Sequence, residues 1–518
     1  MTLADADLRS IQEARTLAQK ARAAQRVLAG FSQEQVDRVV DAIAEAAQAE
    51  AEPLARLAHE ETGFGNVEDK TTKNLFCARD VHAYIRPLRT VGVLREDKDA
   101  RVTEIAEPMG VVAAIIPSTN PTSTAIFKAL VSIKARNAVV LSPHPSARRC
   151  ILETARVMEK AATGAGLPEG ALSSLVEVSL TGTQELMRCR DTGVILATGG
   201  IGLVRAAYSS GKPAYGVGPG NVPAYIEKTA DVPKAARDVI AGKTFDFGTL
   251  CSSEQSIVCD EAVRDEVIAE VKKNGGHFLE PAEAAAVANV VVTKERLANP
   301  EIVGRAATYI AQKAGIEVPP ETRALLAPLD GVGRDYPLSI EKLSPVLAFY
   351  VVKDWEEASR RCLELLRFGG TGHTLGIHSR DDKLILEFAL RKPVFRIVVN
   401  TQTSMGATGY TTGLAPSMSL GCGAYAGNIT SDNITPLHLI NVKRLAYTRP
   451  RGASSASAEA PAAPRSAPVA PAALDFVCED DVRRALREGR LLRIGPKAIV
   501  TPAARDAAAG KDVFVTEA

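Results

Sequence analysis

The spacing of apolar and polar positions changes character along this chain, and each change marks an element. From residue 31, "FSQEQVDRVVDAIAEAAQ" sets Val36, Val39, Val40 and Ile43 at helical spacing behind Ser32, with Gln35 at the capping-box position. The first ninety or so residues read the same way, mainly helical. "TVGVLREDKDARVTEIAEP" then alternates apolar and polar residues around a charged centre, which predicts a hairpin at about 94–107 projecting from the body. Beyond it come short, β-branched, almost wholly apolar runs: "GVVAAIIP" (110–117), "NAVVLSP" (137–143), "GVILATG" (193–199), "VPAYIE" (222–227), "SIVCD" (256–260), "VLAFYVV" (346–352), "TLGIHS" (374–379) and "RIVVN" (396–400). Helical stretches separate most of them. Apolar strands alternating with helices predict parallel sheets covered on both faces, the α/β class.

The pattern fails near residue 450. Residues 450–473 are mostly Ala, Pro and Ser without apolar periodicity, which predicts a disordered linker. Order resumes at 474–518, where "EDDVRRALREGRLL" puts Val482, Ala485 and Leu486 on one face of a helix and Arg483, Arg484 and Arg487 on the other. So short a tail has nothing of its own to bury that face against, so the sequence predicts a helical tail that docks on a groove of another protein or on the enzyme's own surface.

Composition narrows the function. The chain has 518 residues, 46% hydrophobic and 24% charged, enough for two or three domains. Lys plus Arg number 62 against 61 Asp plus Glu, so the net charge of +1 gives no field to gather nucleic acid or an anionic membrane. Neither partner is expected. The N-terminal helix (3–28) lacks a signal-peptide core and no apolar run is long enough to span a membrane, which predicts a cytoplasmic protein. The eight cysteines are scattered with no CxxC pair, so neither disulfides nor a metal site is expected.

Cys251, in "GKTFDFGTLCSSEQS", is the first candidate for chemistry. A free cysteine ordinarily packs as a small hydrophobe, but this one follows a Gly-Thr turn and precedes Ser252, Ser253, Glu254 and Gln255, poor material for a core. Asn120 in "IIPSTNPTS" follows a buried strand; it can be a turn-former before proline or an amide donor to an oxyanion. "ATGGIG" (197–202) and "YGVGPGNVP" (215–223) are glycine-rich without forming a GxGxxG, yet the first is a strand entering a glycine turn and a helix, a topology that brings phosphates to backbone amides. Cys422, between glycines, is the second nucleophile candidate; the remaining cysteines read as packing. His373 and His378 stand five apart on a strand and face opposite sides, so they are not a metal pair. His144 lies between two prolines in a loop.

Taken together and in order, "IIPSTNP", "ATGG", "GVGPGNVP", "GTLCSSEQS" and "EKLSPV" resemble the aldehyde dehydrogenase superfamily. Specifically, they are similar to its coenzyme A-acylating branch from bacterial microcompartments, the propionaldehyde and acetaldehyde dehydrogenases. The likeness runs from about residue 30 to 447. It implies two parallel-sheet α/β domains, one binding cofactor and one catalytic, a hairpin oligomerisation arm and a flexible C-terminal extension. On that basis residues 1–225 carry the NAD and coenzyme A site, 226–427 are catalytic, and 428–449 supply an oligomerisation strand in a dimer or tetramer. The resemblance also implies that Cys251 is the nucleophile, that Asn120 and the Cys251 N–H form the oxyanion hole, and that Glu341 holds the nicotinamide ribose. Thr198, Gly199 and Gly200 then line the cofactor phosphates, with Ser142, Pro143 and His144 by the adenosine.

One departure is informative. Acid-forming members carry a glutamate where this chain aligns Val217, and valine is no base. Without one, water attacks a thioester roughly 10²- to 10⁴-fold more slowly, which leaves the acyl group for a thiol. The expected reaction is therefore NAD-dependent oxidation of a short aldehyde, propanal first and acetaldehyde second, with coenzyme A to acyl-coenzyme A. Alternatives are an acid-forming dehydrogenase, disfavoured by Val217, reduction of glutamyl-semialdehyde phosphate, and an inactive shell-associated protein, against which the set Cys251, Asn120 and Glu341 argues. The tail resembles the segments that carry enzymes into microcompartments, so shell proteins are expected partners and the microcompartment lumen the expected location; the N-terminal helix is a rival address.

Overall fold

The computed structural model describes residues 5–448 and 474–516; the expected linker at 450–473 lies outside them. The chain divides into two compact units, 1–447 and 448–518.

In the first unit the N-terminal helices Ala6–Leu28, Gln33–Ala49, Ala51–Thr62 and Val67–Leu75 lead into two parallel sheets. Ser32 caps the second of them in a full capping box with Gln35. The smaller sheet has five strands in spatial order Leu172–Ser174, Ala138–Ser142, Val111–Ile115, Thr192–Thr198 and Ala214–Val217. Its central strand Val111–Ile115 and the helix Pro121–Lys134 after it are buried along their whole length, as the all-apolar pattern requires. The strand order reverses between Val111–Ile115 and Thr192–Thr198. That reversal opens a crevice at their carboxyl ends, the usual ligand position in such sheets.

The larger sheet has seven strands in the order Gly276–Phe278, Ala324–Pro328, Val346–Val352, Glu254–Asp260, Val222–Ile226, Gly372–His378 and Val394–Val399, all parallel. Every strand predicted from the sequence is present. The hairpin Val93–Asp97/Val102–Pro108 is also present, and the late strand Ile440–Ala446 pairs with it antiparallel, from Ile440 opposite Pro108 to Ala446 opposite Val102. Its partner is thus the hairpin of its own chain, and the edges left open are Val93–Asp97 and Ile440–Ala446. On the way to it, Ile434, Leu439 and Ile440 join the core around the five-stranded sheet.

The second unit corrects the helical-tail expectation. Leu474–Val477, Leu492–Val500 and Phe514–Thr516 form a parallel three-stranded sheet, joined by the helices Glu479–Glu488 and Pro502–Ala508. Val482 and Ala485 face inward as predicted, but what covers them is this unit's own core of Val477, Leu492, Ala504, Ala508 and Val513. The strand was hidden because Gly495 and Pro496 interrupt the alternation of Leu492, Ile494, Ala498 and Val500.

Candidate active site

The carboxyl ends of the five-stranded sheet face the amino ends of two strands of the seven-stranded sheet, and a cavity of about 460 Å³ lies between. Ile115 to Asn120 enter it from the turn after Val111–Ile115, and Thr198, Gly199 and Gly200 from the turn after Thr192–Thr198. Val217, beside Thr198 at the end of the neighbouring strand, leads into Gly218 and Pro219, and Thr249 and Cys251, then Glu341 and Leu343, close the cavity from the turns at the amino ends of the seven-stranded sheet. Pro143 and His144 line it too. Of the residues predicted from the sequence, only Ser142 is withdrawn: it is fully buried and its hydroxyl bonds Thr183 Oγ1 at 2.9 Å, so Thr183 presents the polar surface there. Cys422 is buried and does not line the cavity; its Sγ donates to Leu420 O at 3.4 Å.

Cys251 sits in the turn before the strand Glu254–Asp260, at an amino end rather than the carboxyl end where α/β sheets commonly carry their chemistry. Its backbone is wedged: a Cβ on Gly220 would fall 2.1 Å from Cys251 O and 3.1 Å from the His373 ring, so only glycine lets the two turns close together. Burial pushes the Cys251 thiol up to about 12, and the Glu341 carboxylate adds to the shift while Arg396 opposes it. The resting group is therefore a protonated thiol.

The polar string after Cys251 is not a surface loop. Ser252, Ser253, Glu254 and Gln255 are all buried. Ser252 Oγ donates to Ser404 O at 2.8 Å, Glu254 Oε1 accepts from the Thr403 N–H at 2.5 Å, and Gln255 Oε1 accepts from Lys243 Nζ at 2.9 Å and the Lys342 N–H at 3.1 Å. These side chains anchor the turn from behind. Burial raises Glu254 to about 7 and lowers Lys243 to about 7, each opposed by the other's charge.

Asn120 donates through Nδ2 to Thr249 O at 3.2 Å and to Thr119 Oγ1 at 3.1 Å, which turns its amide N–H₂ toward the Cys251 turn. Glu341 Oε1 accepts from the Gly220 N–H at 2.8 Å; burial raises this carboxyl to about 7 against the pull of that bond and of Lys243. His373 and His378 are held neutral by burial, at about 3 and about 4. Val217 is 4% exposed and clusters with Val398, Ala407, Leu420 and Cys251, so an apolar wall flanks the thiol.

The cavity fits a nicotinamide dinucleotide. Thr198 Oγ1 is shielded from water without a hydrogen-bond partner, an orphan that a phosphate or sugar oxygen satisfies. The helix Ile201–Tyr208 begins beside it with no side chain capping its amides, and Gly200 at the cap leaves that approach open. Among the described residues no group of three or more His, Cys, Asp or Glu is arranged to hold a metal ion, and no helix is long and apolar enough to cross a membrane.

Sequence reading passes over the charges beneath the cavity, Lys70, Lys73, Lys243 and Asp246, because a charge-rich run such as "VEDKTTKN" ordinarily reads as a solvated face. All four are buried. The i, i+3 spacing of Lys70 and Lys73 on one helix face was the available signal.

Residues 2–421 match the family model described as the aldehyde dehydrogenase family. The bifunctional aldehyde-alcohol dehydrogenase AdhE of Escherichia coli (strain K12) is 42% identical over 442 residues, 84% of this chain and 50% of that protein. The chain spans about half the length of the curated relatives it first matches. An acetylating aldehyde dehydrogenase from Geobacillus thermoglucosidasius superposes with a TM-score of 0.85 at 53% identity, covering 86% of this chain and 99% of that one. A propionaldehyde dehydrogenase from the Clostridium phytofermentans fucose utilisation microcompartment superposes at 0.75 with 27% identity over 83% of this chain and 96% of that one. The Rhodopseudomonas palustris propionaldehyde dehydrogenase, with bound CoA and an acylated cysteine, superposes at 0.76 with 26% identity over 84% and 97%. The chain belongs to the aldehyde dehydrogenase family and stands in it beside coenzyme A-acylating members.

Proposed function

We propose that this chain oxidises a short-chain aldehyde to an acyl-coenzyme A, with NAD as hydride acceptor and coenzyme A as acyl acceptor, through a thioester on Cys251. The observation that carries the reading is the wall beside the thiol. Val217 occupies it, and Glu341, the one carboxylate lining the cavity among the described residues, is tied to the Gly220 N–H. Val217 leaves no carboxylate on the wall that flanks the thiol, which favours an acyl group on Cys251 that outlives the encounter with solvent and awaits a thiol.

The proposed sequence needs few groups. Cys251 gives its proton to solvent water and its sulfur adds to the carbonyl carbon, while the Asn120 amide and the Cys251 N–H receive the charge that develops on oxygen. Thr198, Gly199, Gly200 and Glu341 hold the nicotinamide cofactor, with Pro143 and His144 at the adenosine end and Ser142 acting only through Thr183. Bound there, that cofactor supplies a two-electron acceptor for the hydride. The thioester on Cys251 is then cleaved by the coenzyme A thiolate, and the Cys251 sulfur leaves as thiolate. NADH formation that requires both aldehyde and coenzyme A is the expected result. NADH formed equally well without coenzyme A would favour the acid-forming reading; no turnover with any aldehyde would favour an inactive shell-associated protein.

Propanal is the first substrate and acetaldehyde the second, which a chain-length series of kcat/KM tests directly. We further assign the enzyme to a homo-oligomer, through the arm edges Val93–Asp97 and Ile440–Ala446, and to a microcompartment lumen, through the unit 474–516. Support for the address is the microcompartment relative and an independently built unit that the chemistry does not use, carrying exposed Phe476 and Ile499. A monomer in light scattering would refute the first assignment. Normal loading of a chain truncated at 450 into shells would refute the second.

A further inference from the structure

Beneath Asn120 lies a charged cluster with no counterpart in the proposed chemistry. Asp246 is completely buried in the turn that leads to Cys251, and both it and Phe247 hold left-handed backbone, φ 46° and 52°. Such a conformation costs a non-glycine residue free energy, so the surroundings must impose it. They do: the Asp246 N–H donates to Asp69 Oδ2 at 2.7 Å, and Asp246 Oδ1 accepts from the Asn66 N–H at 2.9 Å. Asp246 Oδ2 accepts from Lys70 Nζ at 3.0 Å, from Thr249 Oγ1 at 2.7 Å and from Lys73 Nζ. Gly65 closes the cage, since a Cβ there would overlap the Asp246 carboxylate.

Lys73 reaches out of this cage to the site. Its Nζ donates to Asn120 Oδ1 at 2.6 Å. An ammonium has donors only, so the amide atom it touches must be the oxygen, and the N–H₂ is forced to the opposite side. There its two hydrogens go to Thr249 O, in the Cys251 turn, and to Thr119 Oγ1, and one of these bonds gives way to the oxyanion. The cation also polarises the amide, withdrawing electrons through Oδ1 and making the Nδ2 hydrogens stronger donors. Burial lowers Lys73 to about 8 against the opposing charge of Asp246, which leaves it largely cationic at neutral pH.

We infer that Lys73 is a positioning residue for the oxyanion hole: clamped by Asp246, it fixes and polarises the Asn120 amide so that its N–H₂ faces the carbonyl oxygen of the aldehyde bound at Cys251. Without it the amide can turn over and present Oδ1, a repulsive partner for an oxyanion. The inference rests on the reading of Asn120 as the oxyanion donor.

The test is a double-mutant cycle on the full-length enzyme, read as the single-turnover rate of NADH formation from aldehyde without coenzyme A, with KM and thermal midpoint measured alongside. Asn120→Ala should cost about 10²- to 10³-fold, the usual loss for one oxyanion donor. Lys73→Met should cost about 10- to 100-fold in the same step with KM for aldehyde changed less than about threefold, and combining it with Asn120→Ala should add no more than about threefold. Lys70 remains on Asp246 at 3.0 Å, so the carboxylate keeps a cation in Lys73→Met. If that variant does not fold, Lys73→Leu, which likewise has no donor, carries the same cycle. Full multiplication of the two losses would overturn the inference, as would a wild-type rate in Lys73→Met. A wild-type rate in Asn120→Ala would instead refute the reading of Asn120 itself.

Discussion

Replacing Val217 with glutamate puts a carboxyl at the position that the family resemblance aligns with the base of acid-forming members, and the structure says what that carboxyl would meet. Val217 is 4% exposed and packed among Val398, Ala407 and Leu420. Losing its buried isopropyl group forfeits roughly 1.5 kcal/mol. Burying a carboxyl without a partner costs a further ~1–3 kcal/mol. A total of about 2.5–4.5 kcal/mol is a large share of a typical stability of about 5–15 kcal/mol, so the variant should melt lower yet still fold. Its charge state follows from its surroundings. Burial lifts Glu254 and Glu341, and a carboxyl buried against the apolar wall at 217 is shifted upward for the same reason. The base gains charge as pH rises, so NADH formation without coenzyme A should climb with pH. A fully ionised, well-placed base gives ~10²- to 10⁴-fold; an unoptimised pocket should still give about tenfold. The assay is NADH formation from aldehyde alone, as a function of pH, for variant and parent. A folded variant matching its parent at every pH would refute the claim that Val217 stands where the attacking water must pass.

Other perturbations probe the same site. Cys251→Ala should abolish turnover while Cys422→Ala, outside the cavity, retains it; substantial activity in the first would overturn the mechanism. With a thiol at about 12, alkylation of Cys251 by iodoacetamide should rise about tenfold per pH unit from about pH 7 to pH 10 without levelling off, because the thiolate fraction grows throughout; a plateau near neutral pH would mean an already activated thiolate. Gly220→Ala should cost at least about 100-fold in kcat, since its Cβ would drive into Cys251 O and displace the nucleophile; near-normal kcat would show that the turn can give way. Residues 474–518 fused to a fluorescent protein should fold and enter shells, and diffuse fluorescence would return attention to the N-terminal helix.

The parts of this fold that the sequence announced are those buried on both faces. Val111–Ile115, Ala138–Ser142 and Val346–Val352 read as strands because nothing polar interrupts them. Leu172–Ser174 and Gly276–Phe278 are only three residues each, and Ala214–Val217 looked like part of a glycine turn; none of these offers a period to detect. Within the site, Cys251, Asn120 and Glu341 were legible through motif likeness, and the structure brings them to one cavity with Thr198 and Gly199. The supports were not legible. Lys73, Lys243, Asp246 and Glu254 are charges, and composition sends charges to the surface; only the fold reveals that each is buried against a specific partner. The polar residues after Cys251, read from the sequence as poor core material, are buried anchors of its turn and not an exposed loop.

The central claim is that the acyl group resides on Cys251 until coenzyme A removes it. Intact-mass and peptide analysis of enzyme mixed with NAD and propanal, without coenzyme A, tests it most directly. A single propionyl adduct is expected on the peptide carrying Cys251, formed with one equivalent of NADH and discharged to propionyl-coenzyme A when coenzyme A is added. An adduct on Cys422, or stoichiometric NADH with no adduct on any cysteine, would contradict it.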